Sequence, residues 1–221
     1  MTDKTKAELL AEDWGAVLPF SGFQMDTPQL WEQYEGEWVE YPHDLRDVYD
    51  LLQGFRFARE LNDTVRRGIP APKPEALALI TVGWGAPVED CDPDNPEAVR
   101  PSQSENRRRI ALGVFVSRDA SACSVLRFEL DPDAVTVDKM GTGSLAEALD
   151  TAAFYVWGAE YVARLMVNAE RNKDESGAEN SPELLRALPL LGLMAEDAEH
   201  DKGAVSDRLE ASLRAFLGGE Q

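Results

Sequence analysis

The chain has 221 residues, of which 43% are hydrophobic and 29% are charged, and its formal net charge is −19. This apolar content excludes a fully disordered chain, and the negative charge argues against direct binding to nucleic acid or to an anionic membrane. Two isolated cysteines, and apolar runs no longer than 152–159 or 188–195, exclude a disulfide scaffold and a membrane-spanning helix. Because no apolar signal segment follows Met1, we expect a cytoplasmic protein.

The N-terminal segment, residues 1–42, is rich in aromatic side chains. Two expectations stay open for the first dozen residues, a short helix or a frayed terminus. Thr27 and Pro28 match a helix start, since Thr caps helices and Pro fits the first turn, while the rest of 14–41 shows no regular periodicity. The aromatic residues of this segment are Trp14, Phe20, Phe23, Trp31, Tyr34, Trp38 and Tyr41. Two interpretations stay open: these rings seal the protein's own core, or they contact a partner protein, because aromatic anchors dominate interfaces.

The predicted core, residues 43–171, begins with a helix and continues as a sheet. Apolar residues at helical spacing, among them Leu45, Val48 and Leu52, predict a helix over about 44–67. Continuous or alternating apolar residues then predict about four strands, and the short links between the later ones favour an antiparallel meander. These strands span about 76–82, 110–116, 124–130 and 134–139.

The C-terminal third is predicted to be helical. Ser144 and Glu147 match a capping box, so a long and mostly apolar helix is expected over about 144–171. Residues 172–221 add further helices, the last of them over about 204–217. That helix is predicted from the spacing of Val205, Leu209, Leu213 and Phe216.

These elements predict an α+β fold in a single domain of residues 1–221, with the sheet covered by the helices at about 44–67 and 144–171. The layout is similar to that of small acidic chaperones, a resemblance of architecture alone.

The loop 83–109 is long for a compact domain, and such loops often carry function. Asp90, Asp92 and Asp94 have the spacing of the first ligands of a calcium loop, but the glycine and the final glutamate of that motif are missing. These three residues are the candidate metal ligands, and a solvated acidic loop is the alternative. The arginines Arg107, Arg108 and Arg109 either pair with these acids or hold an acidic partner.

Other candidate groups give weaker signals. Glu160 and Arg164 lie four residues apart in the apolar helix, and are interpreted as an internal ion pair or, alternatively, as a carboxylic acid with a raised pKa. The two histidines, His43 and His200, lack a second histidine at zinc-ligand spacing. The glycine-containing turn before Ser144 is a candidate anion site, and an ordinary turn before a capped helix is the alternative. Nucleotide-binding, serine-hydrolase and zinc-protease motifs are missing from the sequence.

The sequence therefore favours a non-enzymatic protein-interaction protein, such as an adaptor, a chaperone-like factor or an assembly component. It would bind another protein, which could be a basic one, through acidic and aromatic surfaces, without a cofactor, and self-association is compatible with this function. The candidate contact residues are Trp14, Trp31, Trp38, Trp84, Arg107, Arg108 and Arg109. Two alternatives stay open: a nucleic-acid mimic that inhibits a DNA-binding protein, and a metal-dependent enzyme of unrecognised type.

Overall fold

A computed structural model describes residues 4–17, 27–65, 72–91, 99–129, 131–138, 144–176 and 181–195, in which most strands lie between an N-terminal helix and a C-terminal group of helices. The helices are α1 (Lys6–Val17), α2 (Val48–Val65), the single turn α3 (Val88–Cys91), α4 (Ser144–Trp157), α5 (Ala159–Ser176) and α6 (182–195). The strands are β1 (Gln29–Tyr34), β2 (Glu37–Glu40), β3 (Ala76–Gly85), β4 (Arg108–Ser117), β5 (Ala122–Phe128) and β6 (Asp131–Asp138), and a 3-10 turn covers Pro101–Gln103.

The six strands form one antiparallel sheet in the order β2-β1-β3-β4-β5-β6. The α+β class and the antiparallel meander are confirmed, since β3 to β6 are the four predicted strands. The count rises to six because the N-terminal segment contributes β1 and β2.

The β1–β2 hairpin replaces the helix start predicted at Thr27 and Pro28. Glu35 and Gly36, the two residues between the strands, both have positive φ angles, of 51° and 85°. Two positive φ values define the tight turn that matches the twist of a hairpin, and Gly adopts such an angle without the steric cost of a Cβ atom. The local cap signal was therefore outweighed by strand pairing.

The sheet is covered on both faces. On one face, α2 and α4 to α6 bury a large cluster that includes Leu77, Leu79, Val114 and Trp157. On the other face, α1 contributes to a smaller cluster with Phe115 and its neighbours. Because both faces of β3 and β4 are buried, these strands are continuous apolar runs rather than alternating ones.

The two covering helices differ in detail from the prediction. The helix expected over about 44–67 is α2, whereas the one expected over about 144–171 is two helices, α4 and α5, separated at Gly158. This glycine has a φ of 68° and donates its N–H to the Phe154 carbonyl at 2.6 Å, as at a helix C-terminus. The predicted helix at 204–217 lies outside the described residues.

Candidate functional site

The exposed end of β3 and β4 brings together three of the predicted contact residues. Trp84 pairs with Arg109 across the two strands and is 39% exposed. The guanidinium carbons of Arg107 and Arg109 lie 5.1 Å and 5.4 Å from the centroid of the Trp84 ring. Guanidinium groups at this distance are attracted to the π face of an indole, so these contacts stabilise the positions of Trp84, Arg107 and Arg109 at this end of the two strands.

A cleft of about 630 Å³ opens beside this cluster, and we call it the Arg108 cleft. Side chains of Ile110, Leu126 and Phe128 line it, and strand pairing places these three on one face of the sheet. Its remaining lining residues are Gly85, Ala86, Pro87, Glu105, Asn106, Arg107 and Arg108. The cleft therefore combines an apolar surface with two guanidinium groups and one carboxylate.

Hydrogen bonds fix the described part of the loop that borders this cleft. The Asp90 carboxylate accepts from the Ser104 hydroxyl at 2.6 Å and from the Asn106 amide at 3.1 Å. These two hydrogen bonds stabilise the ionised form and lower the Asp90 pKa. Arg107 donates to the Ser102 carbonyl at 3.0 Å. The cleft wall is thus held by contacts within the chain.

The metal prediction falls partly outside the described residues, because Asp92 and Asp94 are not described. The third candidate, Asp90, serves to join the two sides of the loop. Across the described ranges, no three His, Cys, Asp or Glu side chains cluster as a metal site would require.

The remaining predicted contact residues lie elsewhere. Trp31 and Trp38, on β1 and β2, are half-buried and pack against the cluster beneath α1. Trp14 belongs to α1, and its side chain is not among those described. The structure therefore groups Trp84 with the arginines but does not bring Trp31 and Trp38 to them.

The predicted internal position of Glu160 and Arg164 is wrong. The two side chains form an ion pair at 2.7 Å, but they are 45% and 42% exposed, because both lie on the outer side of α5. Hydrogen bonding to Arg118, with a smaller contribution from Arg164, lowers the Glu160 pKa. A carboxyl group of this kind stays ionised at neutral pH and is a poor general acid.

Of the two histidines, the structure describes His43 alone, and His43 belongs to no described cluster of metal-ligand type. The His43 ring accepts a hydrogen bond from the Leu45 backbone N–H at 3.1 Å and stacks near Tyr41, so it shapes the chain before α2. His200 lies outside the described residues.

A buried polar cluster was missed by the sequence reasoning. The Arg186 guanidinium, on α6, donates to both Asp150 carboxylate oxygens at 2.7 and 2.8 Å and to the Tyr161 hydroxyl at 2.9 Å. It also donates to the Ala120 carbonyl at 3.1 Å, so it joins three helices to the β4–β5 turn. The sequence does contain a signal for this cluster. Two largely apolar stretches, 148–156 and 184–191, each include a single charged residue, Asp150 and Arg186.

Burial and the contacts among the three side chains together determine the protonation of Tyr161 and Arg186. Desolvation and the adjacent Asp150 carboxylate raise the Tyr161 pKa well above its usual value. Burial alone would lower the Arg186 pKa, but its interactions with Tyr161 and Asp150 outweigh burial and raise it. The tyrosine stays neutral and the arginine stays charged, which suits a structural junction rather than proton transfer.

Comparison with known proteins gives no family assignment: no protein-family model, no curated protein and no solved structure matches the chain. Among the described helices, none has the length and apolar character needed to cross a lipid bilayer.

Proposed function

We propose that this chain is a non-enzymatic protein-interaction protein that holds an apolar, carboxylate-bearing segment of a partner protein in the Arg108 cleft. The observation that carries the proposal is the joining of Ile110, Leu126 and Phe128 to Arg107 and Arg108 in one cleft. Its volume of about 630 Å³ is in the usual range for a binding pocket, and apolar walls with a few polar groups are typical of such sites.

The guanidinium groups define the polar part of the expected ligand. Within the described residues, neither Arg107 nor Arg108 forms an ion pair with a carboxylate. The planar fork of an arginine binds a carboxylate through two parallel hydrogen bonds, which gives both affinity and orientation. A partner segment with one carboxylate beside apolar side chains is therefore complementary to the cleft.

Net charge restricts the partner further. At a formal charge of −19 the molecule repels polyanions at long range, so nucleic acid is an unfavourable ligand for two arginines. A basic partner protein is attracted at long range, and one of its apolar segments then anchors in the cleft. Long-range attraction and local recognition are thus separate contributions.

The described lining also favours binding over catalysis. Of its ten residues, Glu105 is the one carboxylate, and it is exposed. Serine, threonine, cysteine and lysine, which are common nucleophiles, are missing from this lining. Glu105 is its one residue of a nucleophilic type, and no histidine, lysine or second carboxylate lies in the lining to act as its acid or base.

Selection from a random peptide library against the whole chain tests this function even though the partner is unidentified. We expect peptides in which apolar residues flank Asp, Glu or a free C-terminal carboxylate. Arg108→Glu should weaken their binding about tenfold to a hundredfold, because charge-assisted hydrogen bonds contribute about 1.5–3 kcal/mol. Arg46→Glu, at an exposed arginine before α2, makes the same change in net charge and should leave affinity unchanged.

Two results would count against the proposal. Selected peptides that bind both variants with equal affinity would place the binding site elsewhere. If the selection yields no peptide with a dissociation constant below about 1 mM, the cleft does not bind such segments. The competing interpretation, in which the arginines pair with acids of their own loop, predicts this second result.

A further inference from the structure

Helix α6 exposes an apolar surface that is separate from the Arg108 cleft. Leu185, Leu188 and Leu191 recur every three residues along it and are 53%, 54% and 38% exposed. We call these three residues the leucine stripe. On its inner side, α6 buries Ala187 and Leu190 in the large cluster. A helix that is apolar on two sides normally has a partner on both of them.

Residues 204–217 have the sequence of such a partner. Val205, Leu209, Leu213 and Phe216 lie on one side of a helical projection, and the sequence ends this stretch with Gly218. An isolated helix of this length is marginal in water, so it needs an apolar surface to pack against.

The connection has a suitable length. Residues 196–203 link α6 to this stretch, and helix–helix connections of about two to eight residues are common between antiparallel neighbours. The stretch 204–217 equals α6, 182–195, in length, so an antiparallel hairpin would align the two from end to end.

The antiparallel alignment also matches the apolar residues. If Ala195 lies beside Val205, the spacing along the two helices brings each exposed leucine to an apolar counterpart. The resulting pairs are Leu191 with Leu209, Leu188 with Leu213, and Leu185 with Phe216. A parallel arrangement, by contrast, would need the connection to run extended along about 21 Å of helix.

We propose that residues 204–217 form an amphipathic helix that packs antiparallel on the leucine stripe and completes the helical layer of this protein. The occupant is therefore the chain's own C-terminal segment. The proposal does not depend on the function of the Arg108 cleft, because it concerns a different surface.

Cysteine cross-linking of the whole chain tests the register. The background carries Cys91→Ser and Cys123→Ala. We compare two double variants in it: one combines Leu188→Cys and Leu213→Cys, and the other combines Leu188→Cys and Arg214→Cys. Residue 214 is adjacent in sequence but points about 100° away on a helix, so it is a matched control. We expect the first pair to form an intramolecular disulfide at least about tenfold faster, because packing raises the effective concentration of the thiols.

Equal rates for the two pairs would overturn the proposal, and so would disulfides that form mainly between chains, since a second copy would then be the occupant. A chain that ends after Gly203 gives an independent measurement with the native cysteines. We expect it to bind an apolar fluorescent dye at least about twofold more strongly than the full chain does, and Leu188→Asp to reverse that gain. Unchanged dye binding on truncation would also contradict the proposal.

Discussion

At the scale of single residues, the cluster of Asp150, Tyr161 and Arg186 joins polar groups that water no longer reaches. The Asp150 and Arg186 side chains are 1% and 5% exposed, and Tyr161 is fully buried. Buried charges are stabilising only when each one keeps its partner, so the loss of one partner is more costly than the interaction itself is favourable. The cluster therefore acts as a junction between α4, α5 and α6.

Removal of Asp150 should therefore destabilise the protein strongly. We expect Asp150→Ala to lower the free energy of unfolding by about 3–5 kcal/mol, because the Arg186 guanidinium stays buried without its counter-charge. Urea denaturation followed by circular dichroism measures this change. Glu160→Ala, which removes two exposed ion pairs, with Arg164 and Arg118, is the control and should cost about 0–1 kcal/mol. Equal losses in the two variants would show that Asp150 has no special role.

The contrast between these two ion pairs explains a limit of sequence reasoning. Glu160 and Arg164 have the helical spacing of an ion pair, and that pair is present, but spacing does not determine which side of the helix faces the core. Asp150 and Arg186 are far apart in sequence, so their pairing depends on how α4 and α6 pack. A local sequence pattern predicts contacts within one helix, whereas contacts between helices can be identified only from the tertiary structure.

At the scale of elements, the break between α4 and α5 depends on one glycine. Gly158 has a φ of 68°, and a Cβ atom added there would meet nothing within 4 Å. A side chain at position 158 would therefore be unfavourable because of the backbone conformation, and not because of a clash with neighbouring residues. A capping-box pattern and a long apolar stretch predicted one helix, because an isolated glycine is compatible with either a continuous helix or a helix end.

Two glycine substitutions should change stability in opposite directions. Gly158→Ala should destabilise by about 1 kcal/mol, because alanine is strained in the left-handed region. Gly192→Ala lies inside α6, where no positive φ is required, so the higher helix propensity of alanine should stabilise the protein by about 0.5–1 kcal/mol. Thermal and urea unfolding of both variants measure the effects. A stabilising Gly158→Ala would show that the chain does not need the left-handed conformation.

The sequence predicted some of the strands but not others. β3 to β6 were predicted from apolar runs and alternation, because a buried strand imposes that pattern on the sequence. In β1, Glu32 is buried and forms an ion pair with Arg59 of α2, so the core-facing positions are not all apolar. β2 is a four-residue edge strand, and three of its four residues are exposed. Neither strand shows the alternation that sequence reasoning relies on.

At the scale of the whole molecule, the sheet divides the described interior into two clusters of unequal size. α2, α4, α5 and α6 share the larger one, whereas α1 is the one helix in the smaller cluster among the described residues. The start of α1 is fixed by a capping box between Thr5 and Glu8, and the Ala7 N–H donates to the Ser121 hydroxyl at 3.1 Å. One helix thus protects much of a sheet face.

The two free cysteines report on that protection. Cys123 is fully buried in the cluster beneath α1, whereas Cys91 is partly exposed. Leu10 is 7% exposed in the same cluster, so Leu10→Asp should displace α1, because an unpaired carboxylate is strongly unfavourable in an apolar cluster. Thiol titration with a chromogenic disulfide should then show two rapidly reacting thiols instead of one.

Cys91 is the internal standard, because it reacts in both proteins. Leu9→Asp, at a 50% exposed leucine of the same helix, is the control and should leave Cys123 slow. If Cys123 reacts equally slowly in both variants, α1 is not what keeps solvent from this face of the sheet.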